Sequence, residues 1–248
     1  MSVPDSSRGA SPSRSAAERA REPGTRVYLR QLEVGPMQNY AYLVGDPVRR
    51  EAAVVDAAWD IDTILAAAAA DGMTITKALV THFHPDHLGG RFMGVTVAGA
   101  AELVAKVPVK VYLNKREAAF VSRVTELSAS DVVGVDGGET VLIGDVPVTF
   151  LHTPGHTPGS QCFLVAGSLI SGDTLFIGSC GRTDLPGSSP SDLYHSLNGT
   201  LRNLPDETVV YPGHNYADRP TSTIGNEKQQ NVFLRFASLD EFLRFVGR

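Results

Sequence analysis

Short apolar runs with alternating character are interleaved along the chain with longer stretches of helical spacing. Residues 27–32, 41–44 and 52–55 read as strands, separated by the turn formers Gly35-Pro36 and Gly45-Asp46-Pro47, so the chain opens as a β-meander. Asp60 can cap a helix over residues 61–70 that Asp71-Gly72 ends, and residues 77–80 then read as a short buried strand. Residues 109–113 suit a strand, 115–123 a helix, and 141–151 a pair of strands hinged at Gly144-Asp145. Residues 161–165, 169–171 and 208–211 continue a second sheet, while 191–201 and 239–246 carry apolar residues at the i, i+3, i+4 spacing of covering helices. No repeat of fixed period is present. Strands and amphipathic helices in both halves predict an α+β protein, a four-layer αββα sandwich with the helices outside.

Composition narrows the partners. With 248 residues, a net charge of −5 and no dense Lys/Arg block, the chain is not built to bind nucleic acid or an anionic membrane by charge. No stretch approaches the roughly 20 apolar residues of a membrane span. A small-molecule partner is expected, and a homodimer is compatible with this surface. Two cysteines, Cys162 and Cys180, are too few for a disulfide framework and fit a cytoplasmic protein. The first 26 residues are rich in Ser, Arg, Ala and Pro and hold Asp5, Glu18 and Glu22 without an apolar core. They read as a disordered tail, with an organelle-targeting segment as the alternative, which leaves 27–248 as the catalytic domain.

The chemistry concentrates at His82-Phe83-His84-Pro85-Asp86-His87. In an extended segment His82 and His84 fall on one side, and a turn at Pro85-Asp86 then delivers Asp86 and His87 from another direction. One loop can thereby supply ligands to two neighbouring ions. Imidazole and carboxylate donors without thiolate suit Zn, Fe, Mn or Ni and argue against a purely structural zinc. A His-rich surface loop is the bland alternative. Against it, further candidates also sit beside turn formers at strand ends, in Thr153-Pro154-Gly155-His156, Ser171-Gly172-Asp173 and Tyr211-Pro212-Gly213-His214.

The run Thr81-His82-Phe83-His84-Pro85-Asp86-His87-Leu88-Gly89-Gly90 resembles the signature of the metallo-β-lactamase-fold superfamily. Val54-Val55-Asp56, His156, Asp173 and His214 match its other positions in order. The resemblance implies one metal held by His82, His84 and His156 and a second by Asp86, His87 and His214, with Asp173 bridging. Asp56 is expected to be structural, ordering the loop beneath the site. Two divalent cations, zinc foremost with iron or manganese as alternatives, would supply a metal-activated hydroxide without a protein nucleophile. Asp86 is the catalytic candidate, orienting that hydroxide in addition to acting as a ligand. Arg182 and Tyr216 are the substrate-binding candidates, and an ordinary salt bridge to Asp184 is the competing role for Arg182. Cys180 reads as a compact buried thiol, and His152 and His195 as structural or surface residues.

Two branches of the superfamily fit. The Thr-His-x-His-x-Asp-His run and Gly172-Asp173-Thr174-Leu175-Phe176 resemble the glyoxalase II-like thioesterases, although the stretch after His214 is too short for their helical glutathione-contacting domain. Cys180-Gly181-Arg182-Thr183-Asp184 and Leu193-Tyr194-His195-Ser196-Leu197 resemble the persulfide dioxygenases. That resemblance implies a single Fe(II) on His82, His156 and Asp173 and glutathione persulfide as substrate. The expectation is a metal-dependent hydrolase of a thioester such as a hydroxyacylglutathione, or of a related ester, with the dioxygenase as the alternative. A catalytically inactive binding module is a third reading; it predicts a missing ligand, and none is missing.

Overall fold

The computed structural model describes residues 26–92 and 94–247. The expected N-terminal tail, apart from its last residue, lies outside the described residues. The first half runs β1 (Tyr28–Val34), β2 (Asn39–Asp46), β3 (Glu51–Val55), α1 (Ile61–Ala70), β4 (Thr74–Leu79), α2 (Pro85–Leu88), β5 (Gly90–Phe92), β6 (Val95–Val97), α3 (Ala100–Lys106), β7 (Lys110–Asn114), α4 (Lys115–Val124) and β8 (Val132–Val135). The second runs β9 (Thr140–Ile143), β10 (Val146–His152), β11 (Gln161–Val165), β12 (Ser168–Gly172), β13 (Leu175–Phe176), β14 (Ser179–Cys180), α5 (Pro190–Tyr194), β15 (Val209–Pro212), β16 (Ser222–Thr223), α6 (Ile224–Gln230) and α7 (Leu239–Val246).

Two six-stranded sheets result, ordered β1-β2-β3-β4-β7-β8 and β16-β15-β12-β11-β10-β9. Strand alternation divides their side chains among three cores. In β2, Ala41 and Leu43 face the outer core with Ile61 and Ile64 of α1, whereas Tyr42 and Val44 face the space between the sheets. Phe150 and Phe163 meet them there from the second sheet. On that sheet's far face, Cys162, Leu169 and Val210 pack under Leu193, Leu197, Leu201 and Phe242. Helices, sheet, sheet, helices are therefore the four expected layers. With every residue of β2 buried, both of its faces are covered, as its unbroken apolar run Tyr40–Val44 requires.

Helix α1 begins at Asp60, whose carboxylate accepts from Thr63 N at 2.9 Å, and it ends before Gly72 at φ +69°. The helix expected over 191–201 departs from regularity after α5. It widens into a π-helical turn at His195–Thr200, where the Asn198 amide bonds both Tyr194 O and Phe233 O. Where a simple turn was expected at Pro85-Asp86, the chain makes the short helix α2, with Pro85 in its first turn. The hairpins β5–β6 and β13–β14, strand β8 and helices α3 and α6 are too short or too polar to stand out in the sequence pattern. No helix among the described residues is long and apolar enough to cross a membrane.

Candidate metal centre

Asp56, His82, His156, Asp173 and His214 all lie just beyond the C-terminal ends of strands, namely β3, β4, β10, β12 and β15. Both sheets point those ends to one edge of the sandwich, the position where open sheets commonly leave a crevice. The two halves are stitched together beside it. Gln161 N donates to Thr81 O at 2.9 Å and its side-chain amide to Val80 O at 2.8 Å, while Tyr40 N donates to Gly213 O; within the second half, Gly213 N donates to Gly172 O. Gly213 is required by contact: a Cβ there would lie 2.3 Å from Asp173 Oδ1.

Donor atoms converge in two sets. His84 Nδ1 is 3.0 Å from both His82 Nε2 and His156 Nε2. His87 Nε2 is 3.2 Å from His214 Nε2, and Asp86 Oδ2 is 3.4 Å and 3.5 Å from these two. Asp173 stands between the sets, with Oδ1 3.3 Å from His87 Nε2 and Oδ2 3.4 Å from His214 Nε2 and 3.7 Å from His156 Nε2. Each set of three, and a third formed by His82, His87 and Asp173, has the spacing of ligands that could share one ion.

Hydrogen bonds behind the imidazoles fix which nitrogen faces inward. His156 Nδ1 must donate to Arg182 O at 2.9 Å, and His214 Nδ1 to Met37 O at 3.0 Å, because a carbonyl only accepts. His87 Nδ1 donates to Asp56 Oδ2 at 3.0 Å. Thr81 Oγ1 gives its proton to Asp56 Oδ2 at 2.7 Å, so it accepts from His82 Nδ1 at 3.0 Å. Asp56 thus bonds His87 directly and reaches His82 through Thr81, from a backbone at φ +53°.

This arrangement fits cations. In the first set, His82 Nε2 and His156 Nε2 both face His84 Nδ1, and among the described residues no carboxylate oxygen lies within hydrogen-bonding distance of the three. Asp173 Oδ1 is buried and makes no hydrogen bond. Burial, together with the neighbouring imidazoles, holds His82 far below the usual histidine value and brings His84 down to about 4, so both are neutral donors at physiological pH. Burial alone would raise the Asp173 and Asp86 carboxyls, but the surrounding imidazoles hold both well below the usual carboxylate range. Burial works against charge on His87 too, yet Asp173, Asp86 and Asp56 raise it well above its ordinary value.

The other candidates take lesser places. Tyr216 is 57% exposed and stacks on the His214 ring at 4.5 Å and 13°, with Phe176 edge-on at 5.6 Å. Arg182 lies outside, paired with Asp184 at 2.9 and 2.7 Å, and contributes its backbone carbonyl to His156. His152 donates to Pro158 O and braces the loop that carries His156. Cys180 packs against the third core.

Sequence reading missed two buried residues that hold the centre together. Glu117 of α4 accepts from Phe83 N at 3.0 Å, Thr157 Oγ1 at 2.6 Å and Gly159 N at 2.7 Å, clasping the loop of His82 and His84 to the loop of His156. Asn39 sits beside the second set, its amide 3.0 Å from Asp86 Oδ2 and its carbonyl oxygen accepting from Trp59 Nε1. Neither stands out in the sequence, because Glu117 follows Lys115-Arg116 and Asn39 follows Gln38, each beside other polar residues.

Fold and site together define a metallohydrolase-type sandwich, and the chain belongs to the metallo-beta-lactamase superfamily, which its residues 34–214 match. Members of that superfamily are metal-dependent enzymes. Among its relatives is the probable polyketide biosynthesis zinc-dependent hydrolase BaeB of Bacillus velezensis, 27% identical over 85% of this chain and 88% of that protein. A hydroxyacylglutathione hydrolase of Thermosynechococcus vestitus is 33% identical over 79% and 84%. The mitochondrial persulfide dioxygenase ETHE1 of Homo sapiens is 28% identical over 90% and 82%. The crystal structure of ETHE1 from Myxococcus xanthus superposes with a TM-score of 0.76 at 31% identity, covering 89% of this chain and 90% of that one.

Proposed function

We propose that this chain is a two-metal hydrolase of a thioester or related ester. His82, His84 and His156 would hold one divalent cation and Asp86, His87 and His214 the other, with Asp173 shared. The observation that carries this reading is the completeness of the second set: Asp86, His87 and His214 are buried and mutually placed as ligands, which a single-ion enzyme does not need. Zinc is the preferred ion, because the donors are imidazole and carboxylate and the hydrolase BaeB is named zinc-dependent. Bound cations would provide a nucleophile from water near neutral pH and polarise the substrate carbonyl. Asp86 would orient that water, the exposed Tyr216 would offer a ring and a hydroxyl to the acyl or thiol portion, and Arg182 would meet a substrate carboxylate by exchanging it for Asp184. No serine or cysteine nucleophile takes part, in keeping with the Cys180 thiol, which burial pushes up to about 12.

A second reading is an iron-dependent persulfide dioxygenase working on glutathione persulfide through His82, His156 and Asp173. It is favoured by the likeness to ETHE1 and by the run from Cys180 to Asp184. One experiment separates the two. Protein purified anaerobically is analysed for iron and zinc per chain and assayed for S-lactoylglutathione hydrolysis beside oxygen uptake with glutathione persulfide. Two metals with thioester hydrolysis are expected; one iron with oxygen uptake and no hydrolysis sinks the hydrolase reading.

A further inference from the structure

We propose that Asn39, oriented by Trp59, makes the two cation positions unequal by donating its amide into the Asp86–His87–His214 set and so weakening that position. The inference rests on the two-position metal reading above and not on the identity of the substrate.

The orientation of the amide follows from chemistry. An indole N–H can only donate, so the Asn39 atom 3.0 Å from Trp59 Nε1 is the carbonyl oxygen, which puts the NH2 group on the opposite side. Trp59 is well anchored: its backbone N–H donates to Ala98 O at 2.8 Å, and its indole lies so close over Gly35 that a Cβ there would be 2.3 Å from Trp59 Cγ. Asn39 itself is 1% exposed, so no solvent competes for its amide.

The NH2 group then faces all three donor atoms of the second set. Asn39 Nδ2 lies 3.0 Å from Asp86 Oδ2, 3.4 Å from His87 Nε2 and 3.5 Å from His214 Nε2. These are the atoms turned toward the cation, because the other ring nitrogens are committed to Asp56 and Met37 O. A cation entering there meets a donor pointed at its own ligands and must displace a hydrogen bond to Asp86. Among the described residues, no side-chain amide or ammonium faces His82 Nε2, His84 Nδ1 and His156 Nε2 in this way. The first set should fill first.

Trp59 is the only tryptophan of the chain, which makes the device its own reporter. Metal-free full-length protein is titrated with Zn(II) against a chromophoric chelator while Trp59 emission is followed. The expected result is one tight equivalent, then a second weaker by at least about tenfold, the worth of one charge-assisted hydrogen bond, with the emission change confined to the second step. Asn39→Asp keeps an acceptor for Trp59 but replaces the donor with an oxygen, and it should tighten the second step until the gap closes. Trp59→Phe, followed by chelator competition alone, frees the amide to rotate and should tighten the second step in the same direction. Two equivalents of equal affinity in the unaltered protein, or a second step that neither substitution tightens, overturns the proposal while leaving the metal centre intact. Binding of no zinc at all overturns the metal centre, and the proposal with it.

Discussion

Replacing Glu117 with Gln tests whether the two ligand loops are held from behind by one buried carboxylate. Oε1 accepts from Thr157 Oγ1 and Gly159 N, and Oε2 accepts from Phe83 N, whose residue separates His82 from His84. Glutamine can keep one oxygen facing the first two donors, but its NH2 must then confront the Phe83 N–H, donor against donor. A charge-assisted bond is lost and a buried amide is left unpaired, together about 2–5 kcal/mol. In a protein of this size that corresponds to a fall in melting temperature of about 5–15 °C. Phe83 is also tied to α4 by ring stacking on Phe120 at 4.9 Å and 17°, so the loop shifts without letting go. The first cation position should suffer more than the second, because only His82, His84 and His156 sit on the clasped loops. The assay is calorimetric melting of metal-free protein combined with zinc affinity from chelator competition. A Glu117→Gln protein that melts within a degree of the parent and binds its first zinc within twofold of the parent refutes the clasp.

Two further predictions concern neighbours of the centre. Asp56→Asn leaves a residue that tolerates φ +53° but cannot accept from Thr81 and His87 with both oxygens, so zinc affinity should fall about 10–100-fold with little change in the far-ultraviolet circular dichroism. Unchanged affinity would show that Asp56 does not orient the imidazoles. Burial pushes the Cys180 thiol up to about 12 and the Cys162 thiol up to about 11, so both stay protonated through the physiological range. Iodoacetamide at pH 8.5 should label them at least about a hundredfold more slowly in native protein than in urea, where the thiols return to ordinary values. Rapid native labelling of Cys180 would contradict the seat of its half-buried side chain against the third core.

What the sequence by itself determined is considerable. Unbroken apolar runs at 41–44 and 52–55, helical spacing in 61–70 and the turn formers between them placed the strands and the first helix, because those signals are local; the two strands are covered on both faces, whereas the helix buries one. The histidine and aspartate set was legible because catalytic metal sites demand rare residue types at strand ends. Tertiary structure alone decided the rest. Glu117 and Asn39 carry no local signal; their roles exist only because α4 packs across two loops and β2 runs beside His214. Arg182 was left by the sequence between a substrate carboxylate and Asp184, and the structure pairs its side chain with Asp184 at 2.7 Å. A single chain position specifies which chemistry is available, but long-range packing specifies which atom faces it: Asn39 turns its amide to Asp86 because Trp59 Nε1 donates to its carbonyl oxygen.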